Sequence, residues 1–130
     1  MGQQGYTQGD LGWSELHTTS APGALSFYSA LAGWESMGEP MPGYHVFGRG
    51  DEMLGGICDT HCGEGPDKQT PHWMPYLTVD DIDATLAKVE SLGGSIIMPP
   101  CDIPNDGGRI AVIKDPQGVA TGLAQYKKKG

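Results

Sequence analysis

Gly107-Gly108-Arg109-Ile110-Ala111-Val112-Ile113-Lys114-Asp115-Pro116-Gln117-Gly118-Val119-Ala120-Thr121-Gly122-Leu123-Ala124 reads as a hairpin with its turn spelled out. Residues 109–114 form a short β-branched run, with Arg109, Ala111 and Ile113 alternating against Ile110, Val112 and Lys114. Asp115-Pro116-Gln117-Gly118 is type I turn chemistry: the aspartate bonds its own backbone, proline presets φ and glycine closes the turn. From residue 119 to 125 the chain is extended again, so two strands flank one turn.

Working outward, the whole chain has 130 residues, the size of one domain. Its 21 Gly and 10 Pro with 38% hydrophobic residues favour a strand-and-turn fold over a helical bundle. No apolar run reaches membrane length, and the first residues have neither a basic nor an apolar leader segment, so a cytoplasmic protein with no membrane partner is expected. A net charge of −8 lacks the basic footprint of a nucleic-acid binder and suits cationic ligands. Cys58, Cys62 and Cys101 are odd in number and irregularly spaced, which speaks against a disulfide framework.

Residues 1–12 are polar and glycine-rich and are expected as a flexible arm. Residues 13–19 then read as a strand, with Trp13, Glu15 and His17 on one face. Ser20 is placed to cap a helix with Pro22 in its first turn, Ala24, Leu25, Tyr28, Leu31 and Ala32 on one stripe, and Gly33 at its end. Residues 34–37, 44–49 and 52–58 read as three strands. After a Gly/Pro/charged connector over 59–71 the pattern returns. A strand over 74–79 leads to a helix capped by Asp80 or Asp81, carrying Ile82, Leu86, Val89 and Leu92 and stopped by Gly93-Gly94; a Pro-broken, edge-like strand follows, and then the hairpin.

The repeat has a measurable offset. A shift of 61 sets Trp13 on Met74, Leu16 on Leu77, Leu25 on Leu86, Leu31 on Leu92 and Gly33 on Gly94. With five more residues, Gly55-Gly56-Ile57 falls on Thr121-Gly122-Leu123. Residues 13–58 and 72–126 are thus two copies of one βαβββ module within a single domain over 13–130.

Three local signatures occur in order: Phe27-Tyr28-x-x-Leu31-x-Gly33-Trp34, Val79-Asp80-Asp81-Ile82-Asp83 and the Asp115-Pro116-Gln117-Gly118 turn. Together with the repeat, the chain from about residue 13 to 126 resembles the vicinal-oxygen-chelate superfamily of glyoxalases, bleomycin-resistance proteins and extradiol dioxygenases. The resemblance implies an α+β fold of two tandem βαβββ modules forming open, barrel-like mixed sheets with helices on the outer face. In metal-dependent members, strands that open and close the modules each offer a His or Glu to a divalent ion, the last four residues after the turn glycine. The matching positions here are Trp13, Gly56, Met74 and Gly122. Glycine has no donor, indole nitrogen is not a ligand and thioether sulfur prefers soft metals. The resemblance is therefore to a branch without the metal ligands, and neither metal nor cofactor is expected.

By alternation, the floor of a ligand site would include Trp13, Glu15, His17, Leu54, Gly56, Cys58, His72, Met74, Tyr76, Thr78, Ala120, Gly122 and Ala124. Glu15 beside His17 is the one acid–base pair on it, a candidate catalytic pair for proton abstraction next to a carbonyl. Tyr28, Phe27, Trp34, Trp73 and Leu77 are expected between helices and sheet. Glu15, His17 and His72, or Cys58, His61 and Cys62, are alternative metal constellations with poor zinc spacing. Gly48-Arg49-Gly50-Asp51 is a hairpin turn without the rest of a dinucleotide fingerprint, and no nucleophile elbow is present.

Two functions compete. One is metal-free binding of a small organic, cationic or aromatic molecule, as in bleomycin-resistance relatives. The other is a metal-independent isomerase or lyase using His17 and Glu15, beside a metal-dependent glyoxalase-type enzyme with shifted ligands. A homodimer is expected, because half-open sheets leave surfaces that a two-fold partner satisfies, as in relatives of this length.

Overall fold

A computed structural model of the chain describes residues 6–59, 62, 69–103 and 107–126. The elements run β1 (Leu11–His17), α1 (Ala21–Ala32), β2 (Glu35–Ser36), β3 (Tyr44–Arg49), β4 (Glu52–Cys58), β5 (His72–Thr78), α2 (Ile82–Val89), a 3-10 turn (Glu90–Leu92), β6 (Ser95–Ile103), β7 (Gly108–Lys114) and β8 (Ala120–Tyr126). This is βαβββ written twice, the α+β fold expected, with open mixed sheets. Neither helix is long and apolar enough to cross a membrane. The chain divides into two compact units, one of Trp13–Met74 and one of residues 6–12 with 75–126.

In the first unit the strands lie in the order β2-β3-β4-β1. β1 and β4 are parallel, and the other neighbours are antiparallel. Ser20 caps α1, its side-chain oxygen accepting from the Gly23 N–H at 3.1 Å, and Gly33 ends it in the left-handed region at φ 81°. The helix covers one sheet face through Leu16, Ala21, Phe47 and Ile57, with Ala24, Leu25, Tyr28 and Trp34 around them. That core reaches only the first turns of α1. Leu31, placed on the apolar stripe by its spacing, is 67% exposed.

The second unit repeats the plan as β5-β8-β7-β6, with β5 and β8 parallel. Asp81 caps α2, accepting from the Ala84 N–H at 3.1 Å. Its core is Val79, Ile82, Leu86, Val89, Ala111 and Leu123. The last turn tightens to 3-10 geometry, so Gly93 rather than Gly94 takes the left-handed cap at φ 94°. Leu92, in that turn, is exposed like its counterpart Leu31. β6 ends this sheet, and its register slips on both sides of Met98 before recovering at Cys101, beyond Pro99 and Pro100.

The opening hairpin closes as its residues dictate. The Asp115 carboxylate accepts from the Gln117 and Val119 N–H groups, both at 2.9 Å, and Gly118 sits at φ 94°. Residues 6–12 are tied down more than a loose arm would be. Thr78 N–H donates to Asp10 O, Gly9 N–H donates to Thr78 O, and Tyr6 packs on Tyr126.

The internal repeat is visible in the hydrogen-bond register. Glu15, Leu16 and His17 pair with Gly56, Ile57 and Cys58 in the first unit; Tyr76, Leu77 and Thr78 pair with Gly122, Leu123 and Ala124 in the second. One departure matters for the site. In the β3–β4 hairpin Gly48 pairs with Met53 but Phe47 pairs with Gly55, so Leu54 is an extra residue forming a β-bulge.

Candidate functional site

The face of the first sheet opposite α1 holds the chemistry. Alternation along β1 turns Leu16 toward the helix and Glu15 and His17 the other way. Glu15 and His17 are 7% and 6% exposed, and His17 Nε2 and Glu15 Oε1 share a hydrogen bond of 2.8 Å. The His17 ring stacks on His72 with centroids 4.8 Å apart and planes 2° from parallel. His72 is oriented in turn, its Nδ1–H donating to the Thr70 carbonyl at 2.6 Å.

Tyr44 completes the group. Trp13 Nε1–H donates to the Tyr44 hydroxyl oxygen at 2.9 Å, and that hydroxyl is hydrogen-bonded to Glu15. Burial first, and then the charge of Glu15, push the Tyr44 pKa far above the usual phenol range, so the hydroxyl stays protonated. Trp13, Tyr44, Glu15 and His17 are therefore one hydrogen-bonded chain. Cys58 lies beside it, paired in register with His17 on β1 and with Tyr44 on β3.

The bulge explains two differences from the expected floor. Without it, the tight turn at Gly50-Asp51 would set Phe47 opposite Leu54 and Tyr44 opposite Ile57, on the helix side. With it, Tyr44 faces the floor beside Cys58, while Leu54 packs against the helix-side core of Leu16, Ala21, Phe47 and Ile57. Tyr44 was thus missed and Leu54 misplaced for the same reason. The Gly55-Gly56 pair was the available signal, since a bulged strand beside large rings needs room.

Trp13, Glu15, His17, Gly56, Cys58, His72 and Met74 all belong to the first unit. Tyr76 and Gly122 belong to the second, where they face each other in register, with Thr78 beside Ala124 and Ala120 opposite Lys114. Among the expected core aromatics, Tyr28 and Trp34 do pack against the helix-side core, and Leu77 against that of its own unit. Phe27 and Trp73 do not. They are 60% and 44% exposed and touch the aromatic group edge-on, Phe27 against Tyr28 and Trp73 against Tyr28 and Trp34. Of Cys58, His61 and Cys62, His61 lies outside the described residues.

The four positions of the family's metal site do not fit a metal. Trp13 is engaged with Tyr44, and Met74 is buried with a thioether as its only donor. A Cβ on Gly56 would overlap the hydroxyl and ring of Tyr44, and one on Gly122 would lie within 2.8 Å of three ring atoms of Tyr76. Among the described residues no three His, Cys, Asp or Glu side chains are grouped to hold an ion.

CFP32 of Mycobacterium tuberculosis (strain CDC 1551 / Oshkosh), named as a candidate glyoxylase, is 39% identical over 127 residues, covering 95% of this chain and 48% of that protein. The anthracycline biosynthesis protein DnrV of Streptomyces peucetius is 32% identical over 129 residues, covering 88% of this chain and 46% of that protein. The chain thus spans about half the length of the curated relatives it matches. In fold it is similar to the hypothetical protein BH1468 of Bacillus halodurans C-125, with a TM-score of 0.68, 18% identity and coverage of 95% and 99% of the two chains. The family model for glyoxalase, bleomycin resistance protein and dioxygenase matches residues 10–123, and the chain belongs to that superfamily.

Proposed function

We propose that this protein binds a small organic molecule, aromatic or cationic, on the floor of its first unit without a metal. The observation that carries the reading is the hydrogen-bonded chain of Trp13, Tyr44, Glu15 and His17, which begins at Trp13, one of the four positions where the family's metal-dependent members present a ligand. Indole and phenol rings offer flat apolar contact, and a carboxylate and an imidazole offer polar recognition. The relative DnrV is named for anthracycline biosynthesis, which adds weight to a flat aromatic ligand. Isothermal titration of EDTA-treated protein with planar aromatic amines and phenols tests this. Saturable binding that Glu15→Gln and Tyr44→Phe weaken by about tenfold is expected, the loss of one charge-assisted hydrogen bond. Binding that appears only when Mn²⁺ or Ni²⁺ is restored would defeat the reading.

A second reading is favoured by one contact. The 2.8 Å bond between His17 and Glu15, both buried, is the geometry of an oriented acid–base pair and suits a metal-independent isomerase or lyase acting next to a carbonyl. Incorporation of solvent deuterium into a bound carbonyl compound, lost in Glu15→Gln, would select it over simple binding. We also propose a cytoplasmic homodimer, for which sedimentation equilibrium across a dilution series is the test. A monomer persisting to high micromolar concentration would exclude it.

A further inference from the structure

We propose that His72 is the residue that exchanges a proton with a bound carbonyl compound, through its Nε2, and that His17 and Glu15 are its buried support. The inference rests on the isomerase or lyase reading above and moves the working atom from the buried pair to a third residue. His72, Thr70, His17 and Glu15 all belong to the first unit.

Hydrogen bonds to groups that only accept fix the tautomers of both imidazoles. A carbonyl oxygen has no proton to give, so the 2.6 Å contact with Thr70 O puts the proton on His72 Nδ1 and leaves the lone pair of the neutral ring on Nε2. The Glu15 carboxylate, 2.8 Å from His17 Nε2, puts the proton of that ring on the other nitrogen type. Two rings stacked 4.8 Å apart and 2° from parallel are thus held in opposite tautomers.

Access separates the three candidate bases. Glu15 is buried and already holds protons from two donors, His17 and Tyr44. His17 is buried as well, with one face of its ring covered by His72. His72 is only half-buried, at the start of β5, and its Nε2 lies across the ring from the bond to Thr70. A general base has to come within about 3.2 Å of the atom that carries the proton. Of the three, His72 is the one whose ring solvent reaches. In the step proposed, the Nε2 lone pair takes the C–H proton beside the carbonyl, the C–H electron pair becomes a C=C bond and the carbonyl π pair moves to oxygen. Return of a proton from Nε2 to the enolate regenerates the neutral ring, so no co-reactant is consumed. The imidazolium formed in between is stacked on a ring bonded to the Glu15 carboxylate, whose charge offsets its own.

Two measurements test this. Diethyl pyrocarbonate acylates an imidazole nitrogen through its lone pair, and in the native protein it should label His72 before His17, read by peptide mass spectrometry. His17 labelled first overturns the proposal. Solvent deuterium incorporation into hydroxyacetone and phenylacetone, followed by NMR, should fall about 100-fold in His72→Phe, which keeps a flat ring against His17 and removes both nitrogens. Exchange at the wild-type rate in a folded His72→Phe overturns the role of His72 and leaves the isomerase or lyase reading standing. No exchange by wild type overturns that reading, and the proton transfer proposed here with it. Should His72→Phe not fold, His72→Asn, whose amide N–H can still donate to Thr70 O but supplies no basic nitrogen, decides on the same outcomes.

Discussion

The two units share a backbone plan and differ in what they do with it. Their helix-side cores are interchangeable in kind: Leu16 and Ile57 in the first do what Leu77 and Leu123 do in the second. Their opposite faces diverge position by position. Glu15, His17 and Cys58 in the first correspond in register to Tyr76, Thr78 and Ala124 in the second. Burial of apolar surface against a helix constrains one face of each sheet and leaves the other free to vary, so duplication kept the fold and let the chemistry collect in one copy.

The largest effect should fall on the part the two units share. Ile57 and Leu123 are the largest fully buried side chains of the two sheets, and Ile57→Ala and Leu123→Ala should each cost about 2–5 kcal/mol in denaturant titrations. If only one of them does, the cores are not equivalent. The next effect belongs to the first unit. Glu15→Ala removes a partner of His17 and Tyr44 and should cost about 1–3 kcal/mol in the same titrations. A negligible loss would mean that the floor of the first unit is stabilised by packing and not by its hydrogen bonds.

A smaller effect has a pH signature. The Tyr44 pKa is raised in the folded state by burial and by Glu15, so the folded protein holds a proton that the unfolded chain releases above about pH 10. The unfolded state then binds fewer protons, and stability falls as pH rises, by up to about 1.4 kcal/mol per pH unit from this group. This contribution is fully present below pH ~10 and is lost progressively above it. Tyr44→Phe should flatten that alkaline slope in denaturant titrations run from about pH 8 upward. The smallest expected effect tests the likeness again: Ser20→Ala and Asp81→Ala remove corresponding helix caps and should each cost about 1 kcal/mol by thermal denaturation.

Much of this fold could be read before the structure. The Asp115 turn, the two helix starts and the 61-residue shift are local or periodic signals, and each follows from single residues with strong backbone preferences, as the pairings of Leu16 with Ile57 and Leu77 with Leu123 bear out. The floor was read less well because it depends on register, which is a property of two strands at once. One extra residue at Leu54 reversed the face of Tyr44, and nothing in the hairpin's own alternation announced it. Trp73 and Phe27 show the converse. Both are large and apolar, and size alone did not reveal that the aromatic cluster closes without burying them.

Gly55 and Gly56 stand back to back, and their missing side chains let the Phe47 ring lie against one face of the strand and the Tyr44 ring against the other. Phe47 is stacked on Trp34 at 3.7 Å, and Tyr44 holds the Trp13 indole N–H at 2.9 Å. Two tryptophans therefore report on opposite sides of one thin wall. A guest that displaced the Tyr44 hydroxyl would release the Trp13 indole on one side of that wall while leaving the Trp34 stack on the other side in place.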